Sequence, residues 1–140
     1  MAASDGQGYW ANESRTYIKK TYGSYRNGVQ GGPGGTVSMS ITKGSGISYT
    51  NSISGSWGDK NKIAASFGTS FSKTYSRNAT YKVNVPKGRK IRIKYRPYYN
   101  QYKVVQRYYT RLDGKTIKTK TTKTSYVTIF QNWDYTWVYI

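Results

Sequence analysis

The chain has 140 residues, with 23 Lys and Arg against five Asp and Glu, and its formal net charge is +18. That length suffices for one ordinary domain with its own core. The sequence holds no His and no Cys, which excludes the usual general base, a disulfide framework and thiolate metal sites, and no stretch is apolar enough to span a bilayer as a helix.

The N-terminal quarter is punctuated by glycine, and Gly31-Gly-Pro-Gly-Gly35 interrupts any regular element. We therefore expect residues 1–35 to form a partly ordered, Gly-rich N-terminal arm, in which Thr16–Tyr22 alone has the composition of a short strand. Residues 36–140 are predicted to form a single antiparallel β domain.

Apolar and polar residues alternate after the arm, as they do in a half-buried strand. Thr36–Ile41 and Ile47–Ile53 follow this pattern, and Gly44-Ser-Gly46 between them is typical of a turn. Gly55–Asn61 is predicted to be a second loop.

The alternation then keeps its phase from Ile63 to Val85. That span is several times the ordinary strand length of about 5–6 residues. It predicts one long Ser/Thr-rich strand, bent at Gly68 and at Arg77-Asn78. No segment shows the spacing of an amphipathic helix.

The remaining chain contains further strands and two turns. Pro86-Lys-Gly-Arg89 and Asp113-Gly114 have the composition of turns, the second that of a β-hairpin. The predicted strands are Ile91–Arg96, Tyr98–Arg111, Thr116–Thr124, Tyr126–Phe130 and Trp133–Ile140. The sequence thus predicts an all-β fold, an elongated antiparallel β-sandwich with long Ser/Thr-rich strands.

Few residues are suited to catalysis. No two of the five acids are close in sequence, so a two-carboxylate site would depend on the fold alone. No motif points to a Lys-activated Ser nucleophile. We expect a protein that is not an enzyme, with no cofactor, no metal and no small-molecule substrate.

Basic residues concentrate in the second half of the chain, where residues 82–140 hold 14 of the 23. Such a bias attracts anions over long range, although an ordinary solvated face is the alternative. Alternation places Arg92, Lys94 and Arg96 on one face of their strand. The predicted anion-binding surface consists of Arg92, Lys94, Arg96, Lys103, Arg107, Lys118 and Lys120, with Tyr98, Tyr99 and Tyr102 as aromatic anchors.

The region of residues 36–109 resembles the pore-forming module of the aerolysin, epsilon-toxin and mosquitocidal-toxin family. The resemblance lies in the Ser/Thr strand Phe67–Ser76, followed by Ala79-Thr-Tyr-Lys-Val-Asn-Val-Pro-Lys-Gly-Arg89 and a Tyr-rich strand. It implies an elongated sheet and an amphipathic hairpin that inserts as a transmembrane β-barrel. Thr36–Ile53 would be that hairpin, since one of its faces is apolar and the other polar.

Met1–Asp5 lack the charged and apolar regions of a signal peptide, while the Ser/Thr/Tyr-rich composition resembles exported bacterial β proteins. We expect a secreted bacterial protein in its mature form. Its predicted partner is an anionic membrane or cell-wall polymer, and its predicted role is toxin-like or antimicrobial. Two alternatives stay open: a nucleic-acid-binding domain, and a structural or adhesive subunit that forms homo-oligomers through edge strands.

Overall fold

The computed structural model describes residues 8–140, which contain nine strands, one short α-helix and a 3-10 turn at Lys43–Ser45. The all-β prediction is confirmed. The elements are β1 (Tyr9–Tyr22), β2 (Arg26–Gly31), β3 (Thr36–Ile41), β4 (Tyr49–Thr50), β5 (Ser52–Gly55), α1 (Lys60–Ser66), β6 (Thr74–Tyr75), β7 (Ala79–Asn84), β8 (Ile91–Leu112) and β9 (Lys115–Tyr139). No helix in this described part is long and apolar enough to cross a membrane.

The strands form one large sheet and two small ones. The large sheet has the order β1-β8-β9-β5, and β2 also pairs with β8. The small sheets are β3 with β7 and β4 with β6, both antiparallel. β3 thus pairs with β7 and β5 with β9, so Thr36–Ile53 is not a hairpin of two strands paired with each other.

The chain divides into two compact units, each assembled from separate segments. Of the described residues, unit 1 comprises 8–19, 51–73 and 100–129, and unit 2 comprises 20–50, 74–99 and 130–140. The region predicted as one domain, residues 36–140, contributes to both units.

Alternation specifies the core of unit 2. Val37, Met39 and Ile41 of β3 are buried, while the serines between them are exposed. They lie opposite β7 in regular antiparallel register and pack with Ile91 and Ile93 of β8, which are fully buried. One hydrophobic face per strand is therefore enough to fix this part of the fold.

Unit 1 contains the helix that the sequence analysis did not predict. Asp59 accepts a hydrogen bond from the Lys62 backbone N–H at 3.2 Å and caps α1, and Gly68 has a φ of 64° just after the helix. Ile63 is fully buried against Val104 and Val127. The prediction of one continuous strand from Ile63 to Val85 is wrong, because the cap and this single buried contact stabilise a helical turn.

The segment expected to be an arm supplies strands β1 and β2. Aromatic contacts help to hold β1 against β8: Tyr9 stacks on Tyr109 at 5.3 Å, and Trp10 packs on Tyr108 at 5.2 Å. Residues 1–7 of that segment lie outside the described residues.

Strands β8 and β9 are joined by the predicted turn. Asp113 and Gly114 have φ values of 51° and 74°, the left-handed pair that a two-residue hairpin requires. β8 has 22 residues and β9 has 25, so the three strands predicted between Thr116 and Ile140 are one.

Candidate anion-binding surface

The large sheet in unit 1 has one face packed against a core and one face towards solvent. Val104 and Gln106 of β8 and Val127 of β9 are buried. Because side chains alternate along a strand, their neighbours point the other way. We call this second surface the open face, and its residues are Tyr9, Glu13, Lys103, Arg107, Tyr109, Lys118 and Lys120.

Glu13 organises the charges of the open face. Arg107 donates from Nε to Glu13 Oε1 at 2.7 Å and from Nη2 to Oε2 at 3.1 Å, and Lys118 Nζ lies 3.9 Å from Oε1. The hydrogen bond from Arg107 lowers the pKa of Glu13 and raises the pKa of Arg107. The structure thus brings Arg107 and Lys118, both predicted site residues, to one carboxylate.

Arg107 is held from two sides. Its Nη1 also donates to the Thr119 carbonyl oxygen at 2.9 Å, so Nε, Nη1 and Nη2 all have acceptors in unit 1. Its side chain is 20% exposed, against 62% for Lys118. Arg107 therefore stiffens the sheet, and less of its charge is available to a ligand.

The lysines of the open face remain available. Lys103 and Lys120 are exposed, and no carboxylate among residues 8–140 forms an ion pair with either. Lys118 Nζ approaches the Glu13 carboxylate no closer than 3.9 Å. The open face therefore presents three exposed ammonium groups against one carboxylate that is already bound by Arg107.

A flat aromatic pair lies on the same face. The rings of Tyr9 and Tyr109 are nearly parallel, at 8°, with centroids 5.3 Å apart. Tyr9 is 42% exposed, and Lys62 Nζ lies 5.0 Å from the centre of its ring. Rings with polar tips in this setting suit contact with sugars, bases or a lipid headgroup layer.

In unit 2 the predicted arginines are engaged within the protein. Arg92 donates to Gln30 Oε1 at 2.5 Å. Arg96 pairs with Asp134 at 2.7 Å, and its guanidinium carbon lies 4.0 and 4.4 Å from the ring centres of Tyr22 and Tyr25. The hydrogen bond to Asp134 raises the pKa of Arg96.

Lys94 is half-buried in β8 and forms no ion pair among the described residues. Tyr98 lies beneath Lys20, whose Nζ is 4.6 Å from the ring centre. Arg92 and Arg96 thus have acceptors within the protein, whereas Lys94 has none among residues 8–140.

The other two predicted aromatic anchors point towards the cores. Tyr99 packs edge-on against Phe130 in unit 2, and burial raises its pKa. Tyr102 packs against Tyr17 and Phe67 in unit 1. Both rings stabilise packing, and neither is a free anchor.

The predicted row of basic residues is divided between the two units. Unit 1 holds Lys103, Arg107, Lys118, Lys120 and Tyr102, and unit 2 holds Arg92, Lys94, Arg96, Tyr98 and Tyr99. Sequence reasoning missed Tyr9 and Glu13, which reach the open face from β1. Local spacing carries no signal for a pairing across 94 residues.

The acids of the described chain are not gathered into a centre. Within residues 8–140 there is no cluster of three or more His, Cys, Asp or Glu side chains that could hold a metal ion. Glu13 and Asp134 each bind an arginine, and Asp59 caps α1.

Comparison with known proteins brings no relative to these observations: no protein-family model matches the chain, and a search of curated proteins found no match.

Proposed function

We propose that this protein binds anionic cell surfaces through the open face of unit 1. The supporting observation is that its cations differ in whether they are bound within the protein. Arg107 is fixed to Glu13 and to the Thr119 carbonyl, while Lys103, Lys118 and Lys120 extend into solvent.

Lysine suits a surface whose anions are irregularly spaced. Its ammonium group is a compact charge on a flexible side chain, whereas the planar guanidinium group of arginine prefers a partner that it can bind in bidentate geometry. With a net charge of +18, the protein is also drawn to anions before contact. The tyrosine pair beside the lysines adds apolar area at the interface.

The proposal extends to the biological setting. We propose a secreted bacterial protein without enzymatic activity that acts on cells as a toxin or an antimicrobial agent. The carboxylates of Glu13 and Asp134 are both bound to arginines, which supports binding over catalysis. Permeabilisation would be a second step, because the apolar residues of β3 are buried in the core of unit 2.

The first test is sedimentation with liposomes of phosphatidylcholine alone or with phosphatidylglycerol. We expect binding to the anionic vesicles only. Replacing Lys103, Lys118 and Lys120 by Gln removes three charges worth about 1 kcal/mol each near an anionic surface, which corresponds to roughly 100-fold weaker binding.

A matched control removes the same charge elsewhere. Lys82, Lys87 and Lys90 are exposed lysines of unit 2, and their triple Gln variant should bind nearly as well as the parent. Equal losses in both triple variants would mean that net charge alone drives binding and that the open face is not the site.

Three further measurements separate the possible anions. Dye release from the same vesicles tests permeabilisation, pull-down on a phosphate-rich wall polymer tests wall binding, and titration with oligonucleotides tests the nucleic-acid alternative. A preference for oligonucleotides over vesicles and wall polymer at equal salt would contradict the proposed target.

A specific observation also favours self-association. β1 has 14 residues and stands at the end of the sheet order, paired with β8. Tyr17 and Ile18 on it are 54% and 42% exposed, and a long edge strand is a template for pairing with a second copy. Concentration-dependent sedimentation that Ile18→Lys abolishes would support this function, whereas a monomer at all concentrations would reject it.

A further inference from the structure

Each unit contains a shallow cleft of the same size. The cleft in unit 1 has a volume of about 280 Å³ and is lined mainly by Lys60, Asn61, Thr69, Ser70, Phe71 and Ser72; we call it the Lys60 cleft. The cleft in unit 2 also has about 280 Å³ and is lined mainly by Lys43, Ile47, Ser48, Thr74, Tyr75 and Ser76; we call it the Lys43 cleft.

The two clefts are similar in chemical composition, and they differ mainly in Asn61 of the Lys60 cleft and Ile47 of the Lys43 cleft. Each has a single lysine, three Ser or Thr side chains and one aromatic ring, and the ring of the Lys43 cleft, Tyr75, carries a further hydroxyl. In both, the ring is flanked in sequence by hydroxyls, as Ser70-Phe71-Ser72 and as Thr74-Tyr75-Ser76. The same short pattern therefore lines a cleft in two separate units.

The ring in each cleft is fixed by a core. Phe71 packs against the hydrophobic cluster around Ile63 in unit 1. Tyr75 stacks on Tyr49 at 5.8 Å in unit 2, and Tyr49 stacks on Phe130 at 3.6 Å. Both clefts consequently have an apolar wall beside polar groups. In the Lys60 cleft, Thr69 Oγ1 accepts from Asn51 Nδ2 at 2.6 Å, and the Oγ atoms of Ser70 and Ser72 lie 3.0 Å apart.

These groups match a small ligand with hydroxyls and one negative charge. Serine and threonine hydroxyls both donate and accept hydrogen bonds, an aromatic ring covers the apolar face of a sugar ring, and a lysine attracts a phosphate as a point charge. A volume of 280 Å³ lies just below the usual range of about 300–1,000 Å³ for drug-sized ligands, so each cleft accommodates one sugar unit.

We propose that each cleft binds one phosphorylated sugar unit, which gives the chain two similar saccharide sites. These sites are distinct from the open face, whose residues they do not share. A sugar-phosphate polymer would be recognised by its repeating unit in the clefts, in addition to its overall charge.

The proposal is tested by NMR titration of the whole chain with glucose 6-phosphate. The reporters are the backbone amides of Ala64 and Ala65 in the Lys60 cleft and of Gly46 in the Lys43 cleft. We expect saturable shifts at both groups of reporters and two bound ligands per chain, with weaker binding of glucose and of inorganic phosphate.

Single variants should remove the sites one at a time. Lys60→Gln should weaken binding about tenfold at Ala64 and Ala65 and leave Gly46 unchanged, and Lys43→Gln should do the reverse, since one charge-assisted hydrogen bond is lost in each. Lys87→Gln, in an exposed turn outside both clefts, is the control.

Two results would overturn the proposal. Linear shifts without saturation at these amides would show that the clefts hold no ligand. Equal affinity for inorganic phosphate and for glucose 6-phosphate would show that the sugar is not recognised. Vesicle binding by the Lys103, Lys118 and Lys120 variant reports on the open face alone, so failure of either proposal is visible without the other.

Discussion

Arg107 and Glu13 form a bidentate ion pair between β8 and β1, with N–O distances of 2.7 and 3.1 Å. The residues are 94 positions apart in sequence, so the pair ties the N-terminal strand to the centre of the sheet in unit 1. Lys118 approaches the same carboxylate from β9 at 3.9 Å. One glutamate thus contacts cations from two neighbouring strands.

The Glu13 pair makes stability depend on pH. The hydrogen bond from Arg107 lowers the pKa of Glu13 below its ordinary value of 4.5. A lowered folded-state pKa contributes stability that is present above the unfolded value and is lost as pH falls through the folded value. Glu13→Gln should therefore lower the urea midpoint at pH 7, and its difference from the parent should shrink progressively below pH 4.5.

Urea titrations of parent and variant between pH 2 and pH 7 measure this effect, and comparing the two proteins cancels the general effect of the high net charge. A difference that stays constant down to the lowest pH would show that Glu13 acts by packing and not as a carboxylate.

Gln106 is the second residue on which unit 1 depends. Its side chain is fully buried, and its Oε1 accepts from the backbone N–H groups of Gly58 and Asp59 at 2.9 and 3.0 Å. Its Nε2 donates to Asn12 Oδ1 and to the Asp59 carbonyl oxygen, both at 2.9 Å. The amide therefore anchors the loop that leads into α1.

Replacing Gln106 by Met keeps the length of the side chain but leaves two backbone donors without an acceptor. We expect a loss of about 2–4 kcal/mol in the free energy of unfolding, because buried unsatisfied groups carry their full desolvation cost. Gln101→Met, at a half-exposed position of the same strand, should change stability by about 0.5 kcal/mol or less. Equal losses would contradict the anchoring role.

Sequence reasoning succeeds where one face of a strand is buried or a turn needs special backbone angles. Met39 and its neighbours in β3 show period-two burial, and Asp113-Gly114 forms the predicted hairpin turn. Both signals are local, since the alternating residues and the turn residues lie within a few positions of one another.

The same reasoning fails where small residues leave the period ambiguous. Between Ile63 and Phe71 the chain alternates Ala, Ser and Gly with larger residues, which fits a strand. The Asp59 cap and the burial of Ile63 decide for a helix. The open face was half predictable: alternation identifies Lys118 and Lys120, but the contribution of β1 depends on pairing over a long sequence distance, which no local pattern encodes.

Tyr135 should show the opposite sign of effect to Gln106. Its ring stacks on Tyr81 at 4.7 Å, and its buried hydroxyl has no hydrogen-bond partner among residues 8–140. Tyr135→Phe removes that hydroxyl and keeps the ring, so we expect a gain of about 1 kcal/mol in the free energy of unfolding. Tyr139→Phe, at a position that is 48% exposed, is the matched control and should change little.

The effect of Tyr135 also depends on pH. Burial raises the pKa of Tyr135 above 10.0, and a raised folded-state pKa means that stability is lost as pH rises above the unfolded value. The advantage of Tyr135→Phe should therefore widen above pH 10. Guanidinium titrations at pH 7 and pH 10.5 measure it, and a variant less stable than the parent at both would show that the hydroxyl is satisfied.

Arg107 and Lys118 should separate stability from binding, although both are cations beside Glu13. Arg107→Gln removes the bidentate ion pair with Glu13 and the hydrogen bond to the Thr119 carbonyl oxygen. The midpoint of thermal unfolding should therefore fall clearly. Lys118 lies 3.9 Å from Glu13 and is 62% exposed, and an exposed pair of this kind contributes little to stability. Lys118→Gln should leave the midpoint nearly unchanged but weaken binding to anionic vesicles and reduce its dependence on salt, because one contact with the surface is lost.

Thermal unfolding and vesicle binding at two salt concentrations, measured on both variants, test this separation of stability from binding. If Lys118→Gln lowers the midpoint as far as Arg107→Gln and leaves vesicle binding unchanged, Lys118 stabilises the fold and does not bind the anionic surface.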